Sequence, residues 1–221
     1  MNCIVTAGPT YEELDQVRRL TNFSSGRLGA QLAAYLAAQG HDTTLLRGHY
    51  STFHDEPKVP RILEFTTTEN LRSQLEQMRG SSVGAVFHAA AVSDFTFGKV
   101  FVRGKGNDLK EVRSDKYSTR GETLLAELVP TPKIIARLRV FFPKAFIVGW
   151  KYEVEGGRAG VIAKAREQMR ENRTNACVAN GTAYGFGFGL VTAAAAEHFS
   201  HTDEMFVALE RMARTTSPAA T

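Results

Sequence analysis

The stretch RLTNFSSGRLG at residues 19–29 holds the densest group of side chains that can do chemistry. Ser24, Ser25 and Gly26 place two hydroxyls and a permissive backbone at the start of an amphipathic run. A helix beginning there turns unpaired N–H groups and the positive end of its dipole toward whatever it meets, which suits an anion. Between Gly8 and Gly26 lie Tyr11, Asp15, Arg18, Arg19 and Asn22. A dinucleotide-binding turn packs its glycines into one short fingerprint and works through backbone N–H groups. Here the glycines are dispersed, so the loop delivers side chains instead. Each residue alone has a plainer reading: serine at a helix start is commonly only a cap, and a loop asparagine commonly braces its own turn.

A second group is basic. From Lys99 to Arg120 seven Lys or Arg face three acids, a surplus equal to the whole net charge of +4. Such a strip can meet an anionic small molecule or a nucleic acid, or be a solvated hairpin. It lacks the interleaved aromatics on which single-strand binders stack bases, which argues against nucleic acid. On spacing alone Lys116 reads as a surface lysine, Asp94 equally as a turn cap or a working carboxylate, and Trp150 as a core aromatic. His88 reads as a packed strand-end residue with no role. His49, His54, Asp55 and Glu56 match no metal-ligand spacing and read as a polar loop, and Cys3 and Cys177 read as buried free thiols.

These residues need elements to hold them, and the chain alternates short β-rich runs with amphipathic helical runs. That pattern predicts an α/β fold, a Rossmann-like and mainly parallel sheet with helices on both faces. Strands are expected at 3–8, 42–48, 62–65, 84–91, 145–152 and 176–180. Helices are expected over about 26–39, with Gly40 as its stop; after a Thr68 cap; after Thr131-Pro132; over 159–171; and after Thr202. Residues 98–128 break the rhythm and read as a two-stranded hairpin excursion. In an open parallel sheet ligands bind beyond the carboxyl ends of the strands, which selects the segments after residues 8, 91, 150 and 180.

At 221 residues, 43% hydrophobic and 23% charged, the chain fits one domain over 1–214 with a loose tail at 215–221. No apolar run approaches the roughly 18 residues that cross a bilayer, and the start carries no secretory pattern. A cytoplasmic location with no membrane partner is the expectation.

Taken together, TAGPTYEELDQVRRLTNFSSGRLG resembles the opening of the phosphopantothenate-cysteine ligase family. Asp15, Val17, Arg18, Asn22, Ser24, Ser25, Gly26 and Gly29 stand in the family's ordered places. HAAAVSDF at 88–95, Lys116 ahead of LLAELVPTPKII, VGWKYE at 148–153 and VAN at 178–180 follow in the family's order, so the likeness runs from Cys3 to Phe188. It implies joining 4'-phosphopantothenate to cysteine through an acyl-nucleotide, with CTP or ATP as cosubstrate, Mg2+ and no flavin. It assigns catalysis to Asn22 and Lys116. Nucleotide binding falls to Gly8, Ser24, Ser25, Gly26, Ala89, Ala90, Asp94, Trp150 and Lys151, and substrate binding to Arg18 and Asn180, with no protein metal site. It also implies a homodimer whose hairpin reaches the partner's site. The chain departs from the pattern at Tyr117, Ser118 and Thr119, where many members have lysines, at Trp150 for phenylalanine, and at Gln168 for lysine. The family includes users of either nucleotide.

Two rivals stand beside that reading. A short-chain reductase needs a tyrosine with lysine four residues later, and no tyrosine here has one. A non-catalytic nucleotide-binding relative draws support from the altered segment after Lys116, and meets its objection in the joint presence of Asn22, Asp94 and Lys116.

Overall fold

The computed structural model describes residues 1–53, 55–80, 82–104, 108–118 and 123–216. His54, Lys105, Thr119, Arg120 and the tail at 217–221 lie outside the described residues. The fold is mixed α/β, as expected, around an eight-stranded sheet. β1 (Asn2–Ala7) lies in its middle, parallel to β4 (Asp42–Gly48) on one side and β6 (Val83–His88) on the other. β5 (Arg61–Phe65) extends the sheet beyond β4, and β10 (Phe146–Tyr152) and β11 (Ala176–Asn180) extend it beyond β6, all parallel. β12 (Phe188–Val191) and β13 (Ala196–Phe199) then add an antiparallel edge that the strand patterning did not predict.

The central strands are apolar on both faces because helices cover both. Cys3, Val5 and Ala7 turn to one cluster with α1 (Arg27–Ala38) and α5 (Thr202–Thr216). Ile4 turns to the other, with α2 (Thr68–Gln77) and α3 (Ile135–Phe141), while α4 (Arg158–Asn172) packs on Cys177 and Ala179. Each fully buried Leu, among them Leu32, Leu36, Leu71, Leu75 and Leu138, contributes about 1.5–3 kcal/mol. α1 stops as predicted: Gly40 takes φ 81° and donates to Ala37, and His41 N donates to Leu36, a paired closure of the last turn.

Three expectations change in detail. The α2 cap is Thr67, whose hydroxyl accepts from Asn70 N, because Thr68 N and its hydroxyl are engaged by Glu12 and Thr10. α3 starts at Ile135 and not at Thr131-Pro132, since the Thr131 hydroxyl donates to the Ser93 carbonyl instead of capping a helix. The 98–128 excursion is a three-stranded antiparallel sheet that begins earlier, with β7 (Phe95–Arg103) between β8 (Leu109–Val112) and β9 (Thr123–Pro130). In the basic strip Glu111 pairs with Lys99 and Arg113, so part of its charge is answered locally.

The polar opening loop has its own architecture. β2 (Tyr11–Glu13) and β3 (Arg19–Thr21) form an antiparallel hairpin after β1. Its base is tied down by Tyr11 N to the Thr66 carbonyl and by the Thr21 hydroxyl to the Thr10 carbonyl. Near it the Arg19 guanidinium stands 4.4 Å from the Tyr50 ring centre and 5.0 Å from that of Tyr11, a cation–π arrangement.

Candidate functional site

The carboxyl ends of β1 and β6 are joined before any loop begins. Thr6 Oγ1 lies 2.9 Å from His88 Nδ1 and accepts from Ala90 N at 3.1 Å. The Thr6 hydroxyl thus links the His88 ring to the Ala90 amide. Burial pushes His88 down to about 4, which keeps it neutral near pH 7. This is the satisfied strand-end position expected for it. Ala89 N donates to the Thr6 carbonyl and Ala91 N to the Gly8 carbonyl. With those N–H groups engaged, and the Ala91 carbonyl accepting from Thr10 N, the carbonyl oxygens of Ala89 and Ala90 are what this backbone offers a ligand.

Gly8, Gly26 and Ser51 meet beside this end. Gly8 has φ 85° and Gly26 φ 77°, both in the left-handed region where side chains are strained. A Cβ on Gly26 would stand 3.2 Å from Gly8 Cα and 2.8 Å from Ser51 Oγ, and one on Gly8 would stand 1.9 Å from Ser51 Oγ. Glycine is therefore what lets three chain segments touch. Ser51 Oγ is buried and makes no hydrogen bond among the described residues, an orphan hydroxyl in the glycine cradle. Ser51 was not singled out from sequence, although it lies just past the carboxyl end of β4, where the strand-end rule applies equally. Ser25 joins the cradle through its carbonyl, which accepts from Phe53 N, while its hydroxyl accepts from Arg27 N at 3.3 Å. Ser24 N donates to the Asn22 carbonyl.

Asn22 crosses from the hairpin to the end of β6. Its Nδ2 donates to the carbonyls of Ala91 and Val92, each at 3.2 Å. The amide nitrogen is thereby fixed on the protein, and Oδ1 makes no hydrogen bond among the described residues.

The later residues sit on neighbouring strand ends. Asp94, at the entry to β7, pairs with Lys133, a residue sequence reasoning passed over. Trp150 on β10 is half-buried against the core, its Nε1 is buried with no partner among the described residues, and its carbonyl accepts from Gln168 Nε2 at 3.3 Å. Lys151 reaches Glu153 Oε1 at 3.0 Å, and Lys164 reaches Glu153 Oε2 at 2.6 Å. Hydrogen bonds from Lys164 and then Lys151 hold the Glu153 carboxyl below its ordinary value. Glu153 was also missed, though it stands in the quoted VGWKYE segment. Its backbone N donates to the Asn180 carbonyl, and Asn180 Oδ1 is a further buried acceptor with no partner among the described residues.

Arg18 and Lys116 stand together at the hairpin tip. Arg18 pairs with Asp15 at 3.2 Å and donates to the Tyr117 carbonyl at 2.8 Å. The Lys116 side chain is exposed and forms no ion pair among the described residues. The structure thus gathers Gly8, Asn22, Ser24, Ser25 and Gly26 with 89–92, Arg18 with the Lys116 segment, and Lys151 with Asn180 through Glu153. Among the described residues no three His, Cys, Asp or Glu side chains converge as a metal cage.

Comparison with known proteins gives a consistent family. A family model described as the DNA/pantothenate metabolism flavoprotein C-terminal domain matches residues 1–216. A relative from Thermococcus kodakarensis, the coenzyme A biosynthesis bifunctional protein CoaBC, is 36% identical over 185 residues, 83% of this chain and 42% of that protein. A Bacillus subtilis protein of the same name is 31% identical over 191 residues, 86% of this chain and 42% of the relative. This chain therefore spans less than half the length of those relatives. The solved DNA/pantothenate metabolism flavoprotein from Streptococcus pneumoniae has the same fold, with TM-score 0.83 and 24% identity, covering 97% of this chain and 99% of that one.

Proposed function

The chain belongs to the family of the DNA/pantothenate metabolism flavoprotein C-terminal domain, and on that premise we propose that it joins 4'-phosphopantothenate to cysteine at the cost of a nucleoside triphosphate. A carboxylate oxygen is a poor leaving group, so the acid must first be activated. Its oxygen attacks the α-phosphorus of CTP or ATP, and pyrophosphate leaves. The cysteine amine then attacks the acyl carbon, loses a proton, and releases CMP or AMP.

The observation that carries this reading is Asn22. Its carboxamide is held by Ala91 and Val92 with Oδ1 unbonded among the described residues, so it can accept an N–H from the attacking amine without changing charge. With Nδ2 engaged by two carbonyls, the group is disposed to accept from the amine and not to donate to the acyl oxygens. The orphan Ser51 hydroxyl and the glycine cradle suit a phosphate oxygen at the start of α1. The Ala89 and Ala90 carbonyls suit the exocyclic amine of either cytosine or adenine, so they accommodate both nucleotides. Lys116 supplies positive charge to the triphosphate as pyrophosphate departs. Lys151, held with Lys164 by Glu153, is a second cation at that edge, and Asn180 offers its carboxamide oxygen to substrate. Magnesium in this scheme is bound mainly by the phosphates, which spread its coordination without a dedicated cage. A homodimer in the cytoplasm, with the three-stranded sheet at the subunit contact and one catalytic domain over 1–214, completes the proposal.

The test is pyrophosphate release from the purified chain with 4'-phosphopantothenate, magnesium and either CTP or ATP, with and without cysteine. Release with one nucleotide, lost in Lys116→Ala and stalled at the acyl-nucleotide in Asn22→Ala, supports it. A folded chain that binds nucleotide and releases none under any condition overturns it in favour of the non-catalytic relative.

A further inference from the structure

Asp15 is enclosed to a degree that a surface loop does not require. Its side chain has 0% exposure, yet it sits at the tip of a short hairpin just before exposed Gln16 and Val17. Oδ1 accepts from Val17 N at 2.9 Å and Arg18 N at 2.8 Å, which shapes its own loop. Oδ2 takes the Arg18 guanidinium at 3.2 Å and, from 102 residues away, Tyr117 N at 3.1 Å. Two further bonds join the same loops: Gln16 N donates to the Asp115 carbonyl at 3.0 Å, and Arg18 Nη2 to the Tyr117 carbonyl at 2.8 Å.

Lys116 lies between the two residues held. Its own backbone is turned by Ser114, whose hydroxyl accepts from Lys116 N and donates to the Lys116 carbonyl. The lysine therefore rides on a loop fixed on both sides, with its side chain left exposed. At the other end of the hairpin stands Asn22, four residues beyond Arg18, about 13 Å of extended chain. One short ribbon thus connects the Lys116 mount to Asn22.

The geometry points to Asp15 as a positioning residue that, with Arg18, docks the Lys116 loop onto the opening hairpin of the same chain and so sets the distance between Lys116 and Asn22. The inference rests on the ligase reading for the role of Lys116, but the clamp itself stands on its contacts. Arg18 is held here by Asp15 and by the Tyr117 carbonyl. The bonds explain why the position calls for a carboxylate: asparagine has only one acceptor oxygen, and the acid's two oxygens serve four donors.

The experiment measures deuterium exchange over residues 113–118 and steady-state pyrophosphate release for the intact chain, Asp15→Asn and Arg18→Gln. Opening of the clamp should speed exchange at Tyr117 about tenfold or more while the core strands keep their protection. The kcat should fall about tenfold or more with the nucleotide KM within about twofold, because a lysine that answers charge developed on departure of pyrophosphate acts in the transition state. Arg18→Gln keeps the Asp15 backbone bonds and serves if Asp15→Asn does not fold. Unchanged exchange in both variants overturns the clamp. Faster exchange with unchanged kcat overturns its role in positioning Lys116. If the unaltered chain releases no pyrophosphate, the ligase reading fails, and the exchange data still decide whether Asp15 holds the loop.

Discussion

Asn22 Nδ2 stands 3.2 Å from the carbonyl oxygen of Val92, so a side chain of the opening hairpin is anchored to the strand end of β6. A carboxylate in its place would confront two carbonyls with no proton to donate. Asn22→Asp should therefore be at least as damaging as Asn22→Ala, and each should lower kcat about 10²- to 10³-fold while the fold survives. Steady-state kinetics beside far-ultraviolet circular dichroism check this.

The glycine cradle should resist even one methyl group. Gly26→Ala places a Cβ 2.8 Å from Ser51 Oγ at a φ of 77°, and Gly29→Ala places one 2.6 Å from Ala7 Cβ where α1 lies on β1. Each should cost about 1–3 kcal/mol, the first by backbone strain and the second by overpacking. Denaturant unfolding gives the values. Gly40→Ala meets no atom within 4 Å, so its cost should come from φ 81° alone.

Acid should loosen the chain through carboxylates that are already paired. Burial alone would raise Asp15, but bonds from the Val17, Tyr117 and Arg18 amides and the Arg18 charge hold it below its ordinary value, as the lysines hold Glu153. A depressed folded pKa gives stability that is present above the unfolded value and lost as pH falls through the folded one. The unfolding midpoint should begin to fall below about pH 6.5, where the unfolded chain protonates His88 while the buried ring stays neutral, and drop further below about pH 4 as the paired carboxylates are lost. Asp15→Asn should show a shallower drop in the same thermal scans.

Both thiols should be silent. Burial pushes Cys3 and Cys177 up to about 12, so neither is a thiolate near pH 8. A chromogenic disulfide reagent should find negligible reactive thiol in the native chain and two per chain in denaturant.

Sequence patterning served where one stretch of chain decides its own structure. The runs CIVTAG, DTTLLRG and ACVAN are strands because both faces are covered, and α1 keeps one apolar face from Leu28 to Leu36. It failed where partners are distant or segments short. Thr66, Thr67 and Thr68 are equivalent as local caps, and only Glu12 and Thr10, brought in by the hairpin, decide between them. β2 and β3 have three residues each, too few for a period to register, and FGLV and AEHF become strands only because the edge of β11 is open to them. At the site, the motif residues were legible as a set. Ser51, Lys133 and Glu153 were not, because their contacts become visible only when strand ends are set side by side.

The sheet order also bears on how the chain comes into being. β1, α1, β4 and β5 are contiguous in sequence and already neighbours in space, so the first 65 residues can assemble as they are synthesised. Their exposed flank then waits for β6, and the tip of the hairpin waits longer still for Tyr117. Closing a loop of that length carries an entropic cost that must be met by contacts already in place. A nascent chain would thus bring Gly8, Gly26 and Ser51 together well before the loop that carries Lys116 is docked.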